Sequence, residues 1–501
     1  MRSGVTAAQR RDLAAMDSEI LDGFAPVEGL NQPAARRTVR RGFRLVALVI
    51  ACAMFMEQLD ATVLATALPT MARDFGVPAV NLASALTSYL FALAVFIPAS
   101  GWLADRFGSR TVFRSAIIVF LVGSLLCAQA TALPFLVFAR FVQGAGGAMM
   151  IPVGRLVLLR SVAKEDMVSA TSWLVTPALI GPILGPPLGG YIITYLNWRW
   201  IFYLNLPIGL LGVILVTLFF DNPRGGKSAR FDFAGFLISG VSLGCLLFGF
   251  EMTSRSGQIV PALGLLAVGL AAGLAYIAYA HRRVGPILDL TLLRAPTFRL
   301  SLIGGSLTRI TQGAQPFLLP MMLQLAFGMT AAVSGTITIA GAIGSLLMKG
   351  LVRRILRRFG FRTSLIYGGL LAAASYAVCA LFRPGWPAPA IFCTLVASGF
   401  FMSFQFTAYN TIAYDEIPAH RMSDATSFYA TFQQLLLSLG ICVGAIALHI
   451  GMLIHGHATP GFPEFTLAFA VVTAISAAAT IWNRRFARDA GAELSGHKVC
   501  R

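Results

Sequence analysis

Among the ionisable side chains inside apolar stretches of this sequence are Glu57 and Asp60 in the first stretch and Arg140 in the fourth. An ionised side chain at the bilayer centre costs about 3 kcal/mol on insertion scales, so one that persists normally meets a partner or an aqueous cavity. Glu57 and Asp60 are three residues apart and share a face of any helix that carries them. Carboxylates in a membrane cavity can take up and release protons, the chemistry that couples transport to a proton gradient. At the helical rise, a helix entering near Leu133 carries Arg140 about 10 Å inward, and one leaving near Ala67 holds Asp60 at a similar depth. An Asp60–Arg140 charge pair facing a shared aqueous chamber is therefore expected, and Asp60, Glu57 and Arg140 form the expected proton-coupling set. Structural pairing with Arg140 or Arg309 is the competing role, and the two are compatible.

Gln143, Arg309, Gln312, Gln315, Gln405 and Asn410 also fall within apolar stretches and are the candidates for lining a substrate cavity. Hydrogen bonding from helix to helix is the competing role for the amides. Arg309 lies near mid-membrane by rise arithmetic. It could bind an anionic substrate or balance Glu57, and the residues do not rank the two.

The elements that position these groups follow from composition. Of 501 residues, 57% are hydrophobic and only 12% charged, where a soluble chain carries about 25% charged residues. The apolar residues arrive in blocks of about 20 or more, the length that crosses a bilayer core. Fourteen such spans are expected: 45–67, 83–103, 112–131, 133–157, 168–192, 199–220, 231–251, 258–281, 300–324, 331–352, 363–382, 388–414, 424–451 and 464–483. The fold class is an all-α membrane protein.

Charge tests this segmentation. With alternating loops, one side of the membrane receives Arg106, Arg110 and Arg114, then Arg155, Arg160 and Lys164, then Arg224, Lys227 and Arg230. The same side receives Arg282, Arg283, Arg294 and Arg299, the segment from Lys349 to Arg362, Arg421, and Arg484, Arg485 and Arg488. The other side receives only Arg73, Arg199, Arg255 and Arg383. Basic loops face the cytoplasm, which places both termini there. The net charge of +18 is thus spent on short loops rather than gathered on one face, which argues against nucleic-acid binding.

An internal repeat supports two halves. Arg106-Phe107-Gly108-Ser109-Arg110 follows the second span, and Arg358-Phe359-Gly360-Phe361-Arg362 follows the tenth. Both fall between the second and third helices of a six-helix set once spans seven and eight are set aside, as in transporters built from repeated six-helix halves. The expected division is a tail at 1–44, a six-helix bundle at 45–220, two linker helices and loops at 221–298, a second six-helix bundle at 299–483 and a tail at 484–501.

Several motifs carry a family resemblance. Gly101-Trp102-Leu103-Ala104-Asp105-Arg106-Phe107-Gly108-Ser109-Arg110 resembles the loop signature of the major facilitator superfamily, departing at Ser109, where a second basic residue is common. The resemblance implies a conformational latch of Gly101, Asp105, Arg106, Gly108 and Arg110, with Gly101 allowing close helix approach and Asp105 set against a helix N-terminus of the other half. Arg140-Phe141-Val142-Gln143-Gly144-Ala145-Gly146 resembles the family's fourth-helix signature. Gly181, Pro182, Gly185, Pro186, Gly189 and Gly190 resemble its antiporter motif, which favours exchange over symport. Leu59-Asp60-Ala61-Thr62 with Ala67-Leu68-Pro69, and Trp198-Arg199-Trp200 with Asn205, are similar to the fourteen-helix drug:proton antiporters of the EmrB/QacA type. That resemblance implies two six-helix bundles plus two added helices in an inner membrane, and proton-driven export of small organic molecules. A specific metabolite or an anionic metal chelate is the alternative cargo, and a non-transporting receptor or sensor the alternative class.

Other chemistry is poorly served. A P-loop around Gly226-Lys227-Ser228 would need glycine where Asp221 stands. The seven cysteines show no metal or redox spacing, and the six histidines avoid mid-span positions. No enzyme, cofactor or metal site is expected beyond protons as the coupling ion. The expected partners are the lipid bilayer and a small-molecule substrate, with a periplasmic adaptor left open.

Overall fold

The computed structural model describes residues 33–161, 167–220, 231–253, 257–283, 285–418 and 421–497, and these hold helices and no strand. The tail at 1–32, the loop bearing Arg224, Lys227 and Arg230, and Lys164, Arg255, His420 and Cys500 lie outside the described residues. The long helices are α1 (Pro33–Phe75), α2 (Ala83–Phe107), α3 (Ser109–Ala128), α4 (Leu133–Ser161), α5 (Met167–Tyr195) and α6 (Asn205–Phe219). They continue as α7 (Phe233–Met252), α8 (Ile259–Arg282), α9 (Pro296–Met321), α10 (Ala331–Ala380), α11 (Ala388–Ile412), α12 (Met422–His455) and α13 (Phe462–Asn483).

Among the described residues, eleven helices are long and apolar enough to cross a membrane. One of them, α10, runs for 50 residues, about 75 Å at the helical rise and more than twice a bilayer core. Gly360 breaks it with φ 70 and ψ 170, so α10 holds two crossings. α5 and α9 stand outside that set; counted with them, the long helical segments number fourteen. In α9 the apolar character is diluted by Arg309, Gln312 and Gln315. The expected loop from Lys349 to Arg362 is instead helical up to Gly360. Arginine and lysine are good helix formers, and nothing before that glycine stops the helix.

Gly360 answers Gly108, which caps α2 at φ 88 before α3 begins. Only glycine takes positive φ without steric cost, so the repeated sequence marks a repeated turn. The first six helices pack as one bundle and α9–α13 as the other, and the bundles meet where α5 lies on α10 and α2 on α12. The inserted helix α7 touches both α2 and α12, while α8 packs on α7. The outer surface of α8 is apolar and exposed, with Val260 at 76% and Leu270 at 60%, a surface that suits lipid tails.

The end of the molecule carrying Arg106 and Arg358, here the basic end, also anchors the inserted pair. Asp232 caps α7, accepting from the Gly235 and Ile287 backbone nitrogens at 3.1 and 3.2 Å and from the Tyr279 hydroxyl. Asp289 accepts from the Thr291 backbone at 2.9 Å, from its hydroxyl at 2.7 Å and from Arg421 at the foot of α12 at 2.5 Å. Partial burial pushes the Asp289 pKa up, but these bonds outweigh it and hold the carboxyl below its ordinary value. A carboxylate with a depressed folded-state pKa stabilises the fold above its unfolded pKa and loses that contribution as pH falls through the folded value. Asp289→Asn should therefore lower the unfolding temperature at neutral pH, with the gap to the wild type closing only below the ordinary carboxylate range. A gap that persists unchanged in acid would show that the anionic tie contributes nothing.

Candidate functional site

Asp60 lies on α1 at 2% exposure, so its charge must be met by protein groups. Its Oδ2 accepts from Arg140 Nη1 on α4 at 2.5 Å. Its Oδ1 accepts from Gln143 Nε2 on α4 and from Asn205 Nδ2 on α6, both at 2.8 Å. Arg140 and Gln143 share one face of α4 because they are three residues apart. Arg140 also donates to Gln143 Oε1 at 2.6 Å and to the Ala85 carbonyl of α2 at 3.4 Å, and its guanidinium lies 4.3 Å from the Tyr89 ring centroid. On α3, Ser124 Oγ accepts from Gln143 and Asn205 at 2.8 and 3.2 Å. Five helices of one bundle thus converge on a single carboxylate.

The structure brings Asp60 and Arg140 together but does not place them on a chamber. Arg140 is 1% exposed and Gln143 fully buried. The expected aqueous setting is replaced by neighbouring helices that supply every partner the ion pair needs. Gln143, expected along a substrate cavity, belongs to this sealed network instead. Glu57, one helical turn from Asp60, is 4% exposed, and its Oε2 is buried with no hydrogen-bond partner.

In the other bundle the amides also turn inward. Gln312 Nε2 donates to the Met402 carbonyl at 3.2 Å, Gln315 to Ser398 Oγ at 2.9 Å and Gln405 to the Leu365 carbonyl at 2.9 Å. Half-buried Asn410 donates to the Phe406 carbonyl of its own helix at 2.8 Å. Gln312, Gln315 and Gln405 join helices, the role that competed with cavity lining in the sequence. Arg309 is the exception. It is 3% exposed, and Nη1 and Nη2 are buried without a hydrogen-bond partner.

The glycine-rich helix α5 serves two surfaces. Gly181, Gly185 and Gly189, spaced by four, meet Gln58, Thr62 and Thr66 of α1. A Cβ at Gly189 would stand 2.5 Å from Thr66 Oγ1. Gly190 meets the Ala331 backbone of α10, and the Pro186 carbonyl meets Gly335. Close by, the Ala332 nitrogen donates to Thr194 Oγ1 at 3.1 Å and Gln324 Nε2 to the Thr66 carbonyl at 3.0 Å. These contacts close the bundles against each other at the end opposite the basic loops, called here the outer seam. Pro182 stays within the helix.

At the basic end, Gly101 is exposed, with nothing within 4 Å of a Cβ placed there. The close helix approach expected at that position is not made. Asp105 is half-buried in the last turn of α2, Arg106 is exposed, and Arg110 donates to the Thr217 carbonyl of its own bundle. Sequence reasoning missed Ser124 and Tyr89, and it noted Asn205 only as part of a resemblance. It also passed over His455 and His457, which share Glu464 Oε1 at 3.0 and 2.8 Å beside the outer ends of α12 and α13.

Comparison with known proteins places this arrangement. The family model described as Major Facilitator Superfamily matches residues 50–441. A Haemophilus influenzae protein, provisionally described as the transport protein HsrA, is 38% identical over 82% of this chain and 89% of its own length. A Serratia proteamaculans protein, provisionally named multidrug resistance protein MdtD, is 36% identical over 84% and 88%. Among solved structures, an auto-inhibited POT family peptide transporter superposes at TM-score 0.65 with 16% identity, covering 89% of this chain and 97% of that one. A bacterial homolog of the lysosomal transporter Spinster superposes at 0.60 with 14% identity, covering 88% and 97%. At such identities the likeness is one of fold.

Proposed function

The chain belongs to the Major Facilitator Superfamily, and from that premise we propose that this multi-pass membrane transporter, which is not an enzyme, is a proton-coupled antiporter exporting small organic molecules. The names borne by its MdtD relatives support a multidrug-type cargo. The bias of arginine and lysine toward one end supports an inner-membrane orientation with that end and both termini cytoplasmic.

One observation carries the coupling role: two carboxylates one turn apart on α1 have opposite surroundings. Asp60 is committed to Arg140, Gln143 and Asn205. Glu57 Oε2 has no donor at all. A buried carboxylate oxygen without a donor is costly as an anion, so Glu57 is the group whose proton must come and go as the bundles move. Asp60 and Arg140 hold α1, α4 and α6 in fixed register beneath it. Exchange follows if the Glu57 proton is taken up with the outer seam open and released toward the cytoplasm with it closed. The loop of Gly101, Asp105, Arg106, Gly108 and Arg110 would latch the basic end in the opposite state.

The test is transport by protein in liposomes under an imposed pH gradient, with ethidium as cargo. Glu57→Gln should cut gradient-driven ethidium movement by about tenfold or more, as loss of a proton-transfer group does elsewhere, while exchange of ethidium down its own gradient continues. Undiminished gradient-driven transport in Glu57→Gln would remove Glu57 from the coupling set. Wild-type transport indifferent to the gradient would end the antiport reading.

A further inference from the structure

Among the described residues two arginines are buried, and they are treated in opposite ways. Arg140 meets a carboxylate, an amide oxygen and a carbonyl. Arg309, on the ninth helix and as deeply buried, meets rings: its guanidinium carbon lies 5.0 Å from the centroids of both Phe406 and Tyr429. Contacts with aromatic faces offset part of the cost of burying a cation. They do not satisfy its N–H groups, and a guanidinium can neither accept a bond nor shed its proton. Nη1 and Nη2 meet no carboxylate, amide or carbonyl oxygen; the polar group that faces the guanidinium is the buried Tyr429 hydroxyl, itself without another partner. No described carboxylate pairs with Arg309.

We propose that Arg309, with the Tyr429 hydroxyl, is the subsite for the anionic group of an aromatic carboxylate cargo. Two guanidinium nitrogens and a hydroxyl, drawn together from α9 and α12 with no carboxylate or carbonyl oxygen to receive them, define what is missing: a compact anion with two oxygens in one plane. The guanidinium fork matches a carboxylate in that way. The surroundings select the rest of the molecule. Phe406 and Tyr429 flank the guanidinium, and Phe298 packs on Tyr429 and Phe428 at 5.9 and 5.8 Å. Phe428 stacks on Phe432 at 4.7 Å. Such walls favour a flat ring attached to the carboxylate. This inference rests on the export reading above and names the class of cargo.

Binding to the purified full-length protein in phosphatidylcholine liposomes, without any gradient, tests it. The probes are radiolabelled 1-naphthoate and, for comparison, tetraphenylphosphonium. Arg309→Gln should weaken naphthoate binding by about tenfold or more, while tetraphenylphosphonium binding holds or tightens because a repelling charge has gone. Arg309→Lys, which keeps the charge without the fork, should fall between. Tyr429→Phe should weaken naphthoate by roughly three- to tenfold, and it decides the matter by the same pair of probes if Arg309→Gln does not fold. The proposal is overturned if the wild type does not bind naphthoate, or if Arg309→Gln binds it within about twofold of wild type. Equal loss of both probes overturns it as well. It also falls if adding Glu57→Gln to Arg309→Gln restores naphthoate binding, because the arginine would then serve Glu57. Arg309-dependent naphthoate binding by a protein whose transport ignores a pH gradient would leave the subsite standing and end the antiport reading.

Discussion

Replacing Arg140 by leucine is expected to cost about 3–5 kcal/mol of stability, because it strands an ionised carboxylate in a dry interior. Asp60 is 2% exposed and cannot recover its lost partner from water. Gln143 and Asn205 would still donate to Oδ1, yet Oδ2 would keep nothing of the 2.5 Å contact. The measurement is thermal unfolding of the purified protein in detergent. The double variant Asp60→Leu with Arg140→Leu supplies the decisive comparison. Removing both charges together should recover most of the loss, since an apolar pair of similar volume is often as stable as a buried ion pair. Should the single Arg140→Leu variant unfold within a degree or so of wild type, the five-helix network would not be holding this bundle together.

The second large effect is expected at the outer seam. Gly190 has no room for a side chain because the Ala331 backbone of the other bundle lies against it. Gly190→Val should force α5 from α10 at a cost of about 1–3 kcal/mol, which shifts a two-state equilibrium by roughly 5–150-fold. The closed seam can be read directly, because Thr194 and Ala332 are joined by a 3.1 Å hydrogen bond. In a cysteine-free background, Thr194→Cys with Ala332→Cys should cross-link readily, and adding Gly190→Val should suppress the cross-link and transport together. Unchanged cross-linking would mean that the seam does not depend on that glycine. Gly181, Gly185 and Gly189 face α1 within the same bundle, so valine there should lower stability without selectively opening the seam.

Some of the site was readable before the fold was known. Asp60 and Arg140 were matched in depth by rise alone, because a membrane-spanning helix turns sequence position into depth. Gly108 and Gly360 were matched by repetition, and both take the positive φ of a tight turn. What stayed open has one cause. Gln143 and Gln405 are polar and mid-span, which suits a cavity or a helix-to-helix bond alike, because an amide in an apolar run is satisfied equally well by a neighbouring helix, and here Ser124 and Leu365 provide the partner. The absence of a loop between Lys349 and Gly360 was hidden for a related reason, since basic residues mark a membrane end without saying whether the helix stops there.

Sequence by itself determined the helical segments, their order, the basic end and the two-bundle plan, because apolar length, loop charge and repetition are local quantities. Only the tertiary structure decided which charges are paired. The partners of Asp60 come from positions 80, 83 and 145 residues away, and those of Glu57 Oε2 and the Arg309 terminal nitrogens do not come at all. Whether a buried charge is satisfied depends on how helices rotate and approach, and no local pattern along a chain records that.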